Sequence, residues 1–192
     1  MKTIIKNLFI KLLILSNLSL CTTLAFADSE LNQIINTCAA CHGSNGVTKI
    51  KQYPNLAGQK KGYLFAQLKA FKDGTRSNPV MAQQLTNLSD KQMLEVSSYY
   101  SELPFVKSEA PTINKVGKNI RANCLSCHGM TGKTVNETWP NLAGQNSEYL
   151  FKQLMDFSTE KRKSMIMNVI ASELNEQQMK EVSKYYEQIG SN

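Results

Sequence analysis

The sequence predicts an all-α protein built as two tandem copies of one domain. Three observations carry that reading. Apolar residues recur at helical spacing, as in Leu31, Ile34, Ile35 and Cys38, the i, i+3, i+4, i+7 pattern of one helix face. Helix starts are marked by Ser89-Asp90-Lys91-Gln92 and by Asn175 with Gln178, side chains that can cap a first turn reciprocally. No segment alternates apolar and polar residues as a half-buried strand does. The duplication appears when the sequence is slid along itself. At an offset of 86 residues, without a gap, Pro54-Asn55-Leu56-Ala57-Gly58-Gln59 falls on Pro140-Asn141-Leu142-Ala143-Gly144-Gln145, and Tyr63-Leu64-Phe65 on Tyr149-Leu150-Phe151. Arg76 meets Arg162, Met81 meets Met167, and Tyr99-Tyr100 meets Tyr185-Tyr186. A period this long exceeds the solenoid range, so each copy is expected to bury its own core.

In chain order, the first element is a basic start at Met1-Lys2 and Lys6, then a mostly apolar run from Leu8 to Leu20 interrupted by Lys11. Ala25-Phe26-Ala27 supplies a small-x-small cleavage site before Asp28. Residues 1–27 therefore read as a secretory signal peptide cleaved after Ala27, too short and interrupted for a membrane span. An uncleaved amphipathic anchor is the alternative. Lipoprotein processing at Cys21 is disfavoured by Leu20, because such signals carry a small residue there. Removing 1–27 takes away three lysines and no acidic residue, and the net charge falls from +7 to +4. That mild, evenly split charge excludes the concentrated basic stripe of a nucleic-acid-binding protein. Export to the periplasm also suits cysteine chemistry.

Each repeat, 28–106 and 107–192, reads as three main helices joined by loops. The first runs from about Leu31 into residue 42, and its counterpart places Val116, Ile120 and Cys124 on one face. The middle helices span about 61–72 and 148–157. In the last pair, Met93, Val96 and Tyr100, and Met179, Val182 and Tyr186, share an inward face. Between the copies, Leu103 to Pro111 holds two prolines and no helical period, a short linker that should leave the domains against each other.

The chemistry sits in Cys38-Ala39-Ala40-Cys41-His42 and Cys124-Leu125-Ser126-Cys127-His128. Two cysteines three apart followed at once by histidine is the attachment pattern of c-type haem. Both thiols reach the vinyl groups of one porphyrin edge while the imidazole turns under the ring to the iron. The two motifs use both histidines and every cysteine except Cys21, so two covalently attached haem c groups are expected. A thiol–disulfide or zinc role is the structural alternative, which the immediate histidine, twice, disfavours. The sixth iron position decides function, since a thioether there gives an electron carrier and a vacant site permits peroxide chemistry. With no spare histidine, the register selects Met81 and Met167 as sixth ligands, both expected in loops. Met165 lies two residues from Met167 and is a competitor, and a lone methionine is otherwise a common gap-filler in a core. Met93 and Met179, at core spacing, read as packing. Iron ligands are thus His42 and Met81, and His128 and Met167.

Around these, the aromatic-Pro pairs Tyr53-Pro54 and Trp139-Pro140 are candidates to supply the carbonyl that orients each proximal imidazole. Gln59, Tyr63 and Arg76, with Gln145, Tyr149 and Arg162, are candidates to hydrogen-bond the haem propionates. Helix-face packing is the alternative for Tyr63 and Tyr149.

With these motifs in hand, the chain resembles the cytochrome c4 family over essentially its whole mature length. The resemblance implies two class I cytochrome c domains related by pseudo-twofold symmetry, each haem held by His and Met. It implies periplasmic electron transfer between redox proteins, with a terminal oxidase or quinol-oxidising complex as partner, no catalysis, and a loose membrane association. No nucleic acid is expected, and the chain is expected to be a monomer. One departure is the loop Lys163-Ser164-Met165-Ile166-Met167, which lacks the Asn78-Pro79 lead of the first copy. The alternatives are the cytochrome subunit of a flavoprotein dehydrogenase, such as one oxidising sulfide, and a dihaem peroxidase. The peroxidase would need acid–base groups beside an open haem, and there is no third histidine to supply one.

Overall fold

The computed structural model describes residues 29–105 and 112–190. The signal peptide expected over 1–27, Cys21 with it, and linker residues 106–111 lie outside the described residues. By internal contacts the chain divides into a leading unit, Met1–Thr37, and a main unit, Cys38–Asn192. All regular structure among the described residues is helical. Helix α1 covers residues 29–42. There follow α2 (Lys61–Lys72), α3 (Pro79–Leu85), α4 (Asp90–Glu102), α5 (Lys115–Ile120), a 3-10 turn (Arg121–Cys124), α6 (Leu125–His128), α7 (Ser147–Ser158), α8 (Met165–Ser172) and α9 (Glu176–Gln188).

In the described part of the leading unit, the Thr37 hydroxyl donates back to the Gln33 carbonyl at 3.1 Å. The main unit contains both haem motifs. In its first half α2 packs on α3 and α4, and in its second α7 packs on α8 and α9. The middle and last helices form as expected, and both capping boxes, Ser89 with Gln92 and Asn175 with Gln178, are made. Met93 and Met179 are buried at 0 % and 2 % exposure, as core residues. Tyr100 and Tyr186 sit beside them in the same helix faces, also buried.

Three local features differ from the expectation. Met81 and Met167 are not in loops. They occupy the third position of α3 and α8, where Asn78 Oδ1 accepts the Met81 N–H at 3.1 Å and Ser164 Oγ accepts the Met167 N–H at 3.2 Å. Pro79 at the first position hides α3 from a periodicity search, although a proline is tolerated there because that N–H has no helical partner. Second, Val116 is exposed, and Gly117 takes the inward position of α5. A Cβ on Gly117 would meet the Glu181 carbonyl oxygen at 2.1 Å, so α5 crosses α9 at a distance only glycine permits. Third, the helix leading into the second motif tightens into the 3-10 turn, whereas α1 stays α-helical throughout.

The two copies are clasped by reciprocal hydrogen bonds. Gln59 Nε2 donates to the Asn141 carbonyl at 2.9 Å and its Oε1 accepts the Asn141 N–H at 2.7 Å. Gln145 does the same for Asn55, at 2.9 Å and 2.8 Å. The side-chain amides of Asn55 and Asn141 donate to the carbonyls of Gly144 and Gly58. Each bond maps onto its mate by the 86-residue shift, which is the pseudo-twofold relation that the family resemblance implies. At the rim, Lys51 pairs with Glu187 and Lys60 with Glu137, both at 3.0 Å.

Gln59→Ala removes both partners of a buried backbone amide, and an unpaired buried group costs about 1–3 kcal/mol. Thermal unfolding of the haem-loaded protein should fall correspondingly in Gln59→Ala and in Gln145→Ala. Burial pushes the Glu187 carboxyl up, but hydrogen bonds from Lys51 and Ser147 outweigh it and hold the group below the ordinary glutamate value. A depressed folded pKa contributes stability above the unfolded value, lost as pH falls through the folded one. The wild type should therefore lose more stability than Glu187→Gln between about pH 5 and pH 3, measured by denaturant unfolding at each pH.

Candidate haem sites

Each motif sits at the end of a helix that a glycine stops. The Gly43 N–H bonds the Ala39 carbonyl at 2.8 Å and the Gly129 N–H bonds the Leu125 carbonyl at 3.0 Å. The chain then turns back so that a proline carbonyl meets the histidine just passed. His42 Nδ1 lies 3.0 Å from the Pro54 oxygen, and His128 Nδ1 lies 3.0 Å from the Pro140 oxygen. A carbonyl only accepts, so Nδ1 carries the proton and Nε2 keeps a free lone pair. Both rings are buried. Burial lowers the pKa of each, against a smaller raising effect of the proline carbonyl. Neutral imidazoles with Nε2 free are what an iron ligand requires. The carbonyl expected from the aromatic-Pro pairs is thus in place, and the Tyr53 ring stands 6.3 Å from the His42 ring, tilted by 45°.

The loop between each motif and its proline is held by its own bonds. Asn55 Oδ1 accepts the Thr48 N–H and Asn141 Oδ1 accepts the Thr134 N–H, each at 3.0 Å. Thr48 Oγ1 donates to the Cys41 carbonyl at 2.8 Å, which fixes the loop to the motif itself.

The donor set fits haem c. Cys38, Cys41, Cys124 and Cys127 form no disulfide and stand at intermediate exposure. Burial pushes the Cys38 thiol up to about 11, and Cys124 also upward, so neither is a reactive thiolate of the dithiol-exchange kind. Among the described residues no cluster of three or more His, Cys, Asp or Glu is arranged to hold a metal ion. Beside the first cysteine of each motif stands a buried tyrosine, Tyr100 near Cys38 and Tyr186 near Cys124. Neither hydroxyl has a hydrogen bond of normal geometry. Two orphaned buried hydroxyls at equivalent places call for a polar group that the protein does not itself provide.

Met81 and Met167 are half-buried on the first turns of α3 and α8, while Met165 is 94 % exposed at the first position of α8. By register, Met165 is the counterpart of Pro79 and Met167 of Met81.

The residues expected at the propionates also join the two copies. Arg76 donates to Gln67 Oε1 at 2.7 Å, Tyr149 OH at 3.0 Å and Gln153 Oε1 at 2.6 Å. Arg162 donates to Gln153 Oε1 at 2.8 Å, Tyr63 OH at 3.0 Å and Gln67 Oε1 at 2.8 Å. Gln59 and Gln145 are used in the backbone clasps. All six side chains tie one copy to the other. Burial works against ionisation of Tyr149, but the Arg76 and Arg162 guanidiniums outweigh it and hold the phenol below its ordinary value. Reading each copy alone leaves these cross-copy partners out of sight. The signal was present: identical polar residues at matched positions are what a twofold interface between duplicates demands.

Comparison with known proteins gives the same picture. The sequence profile of the cytochrome c family matches twice, over residues 32–103 and 115–189. The chain is 31% identical over 163 residues to cytochrome c4 of Pseudomonas aeruginosa, covering 77% of this chain and 81% of that one. It is 30% identical over 187 residues to a thiosulfate dehydrogenase electron acceptor of Stutzerimonas stutzeri, covering 86% and 84%. Its fold superposes on the crystal structure of reduced recombinant cytochrome c4 from Pseudomonas stutzeri with a TM-score of 0.76 at 29% identity, covering 84% of this chain and 97% of that one. Duplicated helical domains, pinned imidazoles and these likenesses converge, and the chain belongs to the cytochrome c4 family: it carries two covalently attached haem c groups and is an electron carrier, not a catalyst.

Proposed function

We propose that the chain is exported, loses residues 1–27 after Ala27, and works in the periplasm as a carrier between respiratory-chain partners, a terminal oxidase among them. The two haem domains are 28–106 and 107–192. Cys38 and Cys41 anchor the first haem, with His42 and Met81 on its iron. Cys124 and Cys127 anchor the second, with His128 and Met167 on its iron. A bound haem of this kind supplies a one-electron ferric/ferrous couple. The protein's own contribution is to hold both imidazoles neutral and fixed, to present a thioether from a capped helix turn, and to keep the two sites in one body.

The observation that carries this reading is the pairing, twice, of a pinned imidazole with a motif dithiol. The choice of Met167 over Met165 rests on burial, on its N–H bond to Ser164, and on its identity of position with Met81. Ser164 does for α8 what Asn78 does for α3, so the missing Asn-Pro lead leaves the geometry of that turn unchanged. A second reading is favoured by a relative's name. The likeness to a thiosulfate dehydrogenase electron acceptor supports a dedicated acceptor for a sulfur-compound dehydrogenase in place of a general carrier.

The intact mass of the mature protein should begin at Asp28 and include two haems, and no added mass would sink the proposal. In the ferric spectrum, Met81→Ala and Met167→Ala should each remove half of the weak sulfur-to-iron band, while Met165→Ala leaves it whole. Met93→Ala is the control: it should keep the spectrum and lower stability by about 2–5 kcal/mol, as large-to-small core changes do. Stopped-flow reduction by a purified thiosulfate dehydrogenase, compared with oxidation by a haem–copper oxidase, separates the two readings of partner.

A further inference from the structure

The pseudo-twofold relation makes each copy a control for the other, and at the starts of α2 and α7 the two sides of the interface differ. At the start of α7 a carboxylate is held. Glu187 receives Lys51 Nζ of the first copy at 3.0 Å and the Ser147 hydroxyl at 2.9 Å, and the Ser147 backbone N–H also stabilises its charge. Ser147 is the first residue of α7, so this carboxylate lies against the positive end of the helix, where an anion is favoured. Glu148 adds a second acid in the same turn.

The 86-residue shift carries these residues onto the start of α2 with their charges changed. Glu187 maps onto Ser101, Ser147 onto Lys61, Asn146 onto Lys60, Glu148 onto Gly62, and Lys51 onto Glu137. The Ser101 hydroxyl is spent on the Ser98 carbonyl at 2.8 Å. The first turn of α2 has no acidic residue, and no side chain caps its N–H groups. The α7 end thus brings together one cation and two carboxylates, and the α2 end two cations and one carboxylate. That carboxylate, Glu137, is taken by Lys60 at 3.0 Å. Lys61 pairs with no carboxylate among the described residues. Two lysines at the positive end of a helix oppose its dipole. Where the second copy has the Glu187 side chain, this side has a cleft of about 240 Å3, bordered by Lys60, Lys61, Ser101, Glu137 and Asn141. Gly62 lets the Glu137 backbone approach closely, since a Cβ there would meet the Glu137 carbonyl oxygen at 2.7 Å.

We propose that this cleft binds a small divalent oxyanion of the sulfate or phosphate class, in the role that the Glu187 carboxylate fills for the second copy. The Lys61 ammonium and the uncapped N–H groups at the start of α2 donate to it, with the Lys60 charge alongside. Charge-assisted hydrogen bonds of this kind are stronger than neutral ones, and a helix start presents its N–H groups to an oxyanion ready-made. The site calls on none of the haem ligands.

The test uses the full, haem-loaded protein in its reduced state, with sodium sulfate titrated against sodium chloride at constant ionic strength. The Lys61 and Gly62 amide NMR signals should shift saturably, and the thermal midpoint should rise, since a ligand of the folded state alone stabilises it. Lys61→Gln should weaken the apparent affinity by about tenfold, the loss of one hydrogen bond from a charged group. Ser101→Glu supplies the carboxylate of the second copy, and should abolish the saturable shift while raising the midpoint in chloride. Sulfate also stabilises folded proteins by exclusion from their surface, and only that part of the effect should persist in Ser101→Glu. Lys61→Gln alone decides the matter should Ser101→Glu fail to accumulate. The proposal is overturned if the two amides show no saturable shift, or if Lys61→Gln responds to sulfate as the wild type does.

Discussion

Everything in the main unit hangs on one six-residue segment, used twice. In Pro54 to Gln59 the first carbonyl fixes the His42 ring, and the next side chain, Asn55, fixes the loop that leads back to it. The N–H groups of Leu56 and Ala57 bond the Gly46 carbonyl, and the Gly58 N–H bonds the Tyr100 carbonyl in the last helix. Gln59 then leaves the domain and holds Asn141 of the other copy. Local turn, proximal ligand, core helix and domain contact are consecutive residues of one strap. The same is true of Pro140 to Gln145. A shift at the interface cannot leave the imidazole untouched, because little slack lies between Pro54 and Gln59.

The second layer of the interface is unusual in charge. Two guanidiniums share the same two glutamine oxygens, since Gln67 Oε1 and Gln153 Oε1 each accept from both Arg76 and Arg162. Like charges brought together repel. What makes the arrangement tenable is that their hydrogen-bond acceptors are strongly polar, that the Asp156 carboxylate acts on Arg162, and that each cation also stacks on an apolar ring, Arg76 on Phe71 at 4.4 Å and Arg162 on Phe157 at 4.5 Å. The lowered phenol of Tyr149 is the electrostatic trace of this concentration of positive charge.

Much of this was legible in the sequence, for identifiable reasons. The haem motifs, the capping boxes and the core faces of α4 and α9 depend on neighbours within a few residues, and such patterns survive in one dimension. The inward face of α5 is not legible locally, because Val116 stands at helical spacing with Ile120 and Cys124. The close crossing of α9 that reverses this is a property of two helices far apart in sequence. The first turn of α3 was invisible because its proline and short length mimic a loop. The interface was the largest omission: the partner of each polar side chain lies about 70 to 100 residues away, and only the matched identity of the copies pointed to it.

The clasps are nearly all amide to backbone, and such contacts contribute little net free energy apiece once water is given up. Two separate domains with this surface would associate weakly. Here the linker after Phe105 joins them in one chain, and Phe105 itself packs against Gly58 while its ring receives Lys133 at 4.4 Å. Tethering makes closure an intramolecular event at an effective concentration of order millimolar. Polar geometry is then free to set orientation, since the covalent join keeps the halves from parting. The duplicated gene product is, in this sense, a dimer whose dissociation constant has been replaced by a length of chain.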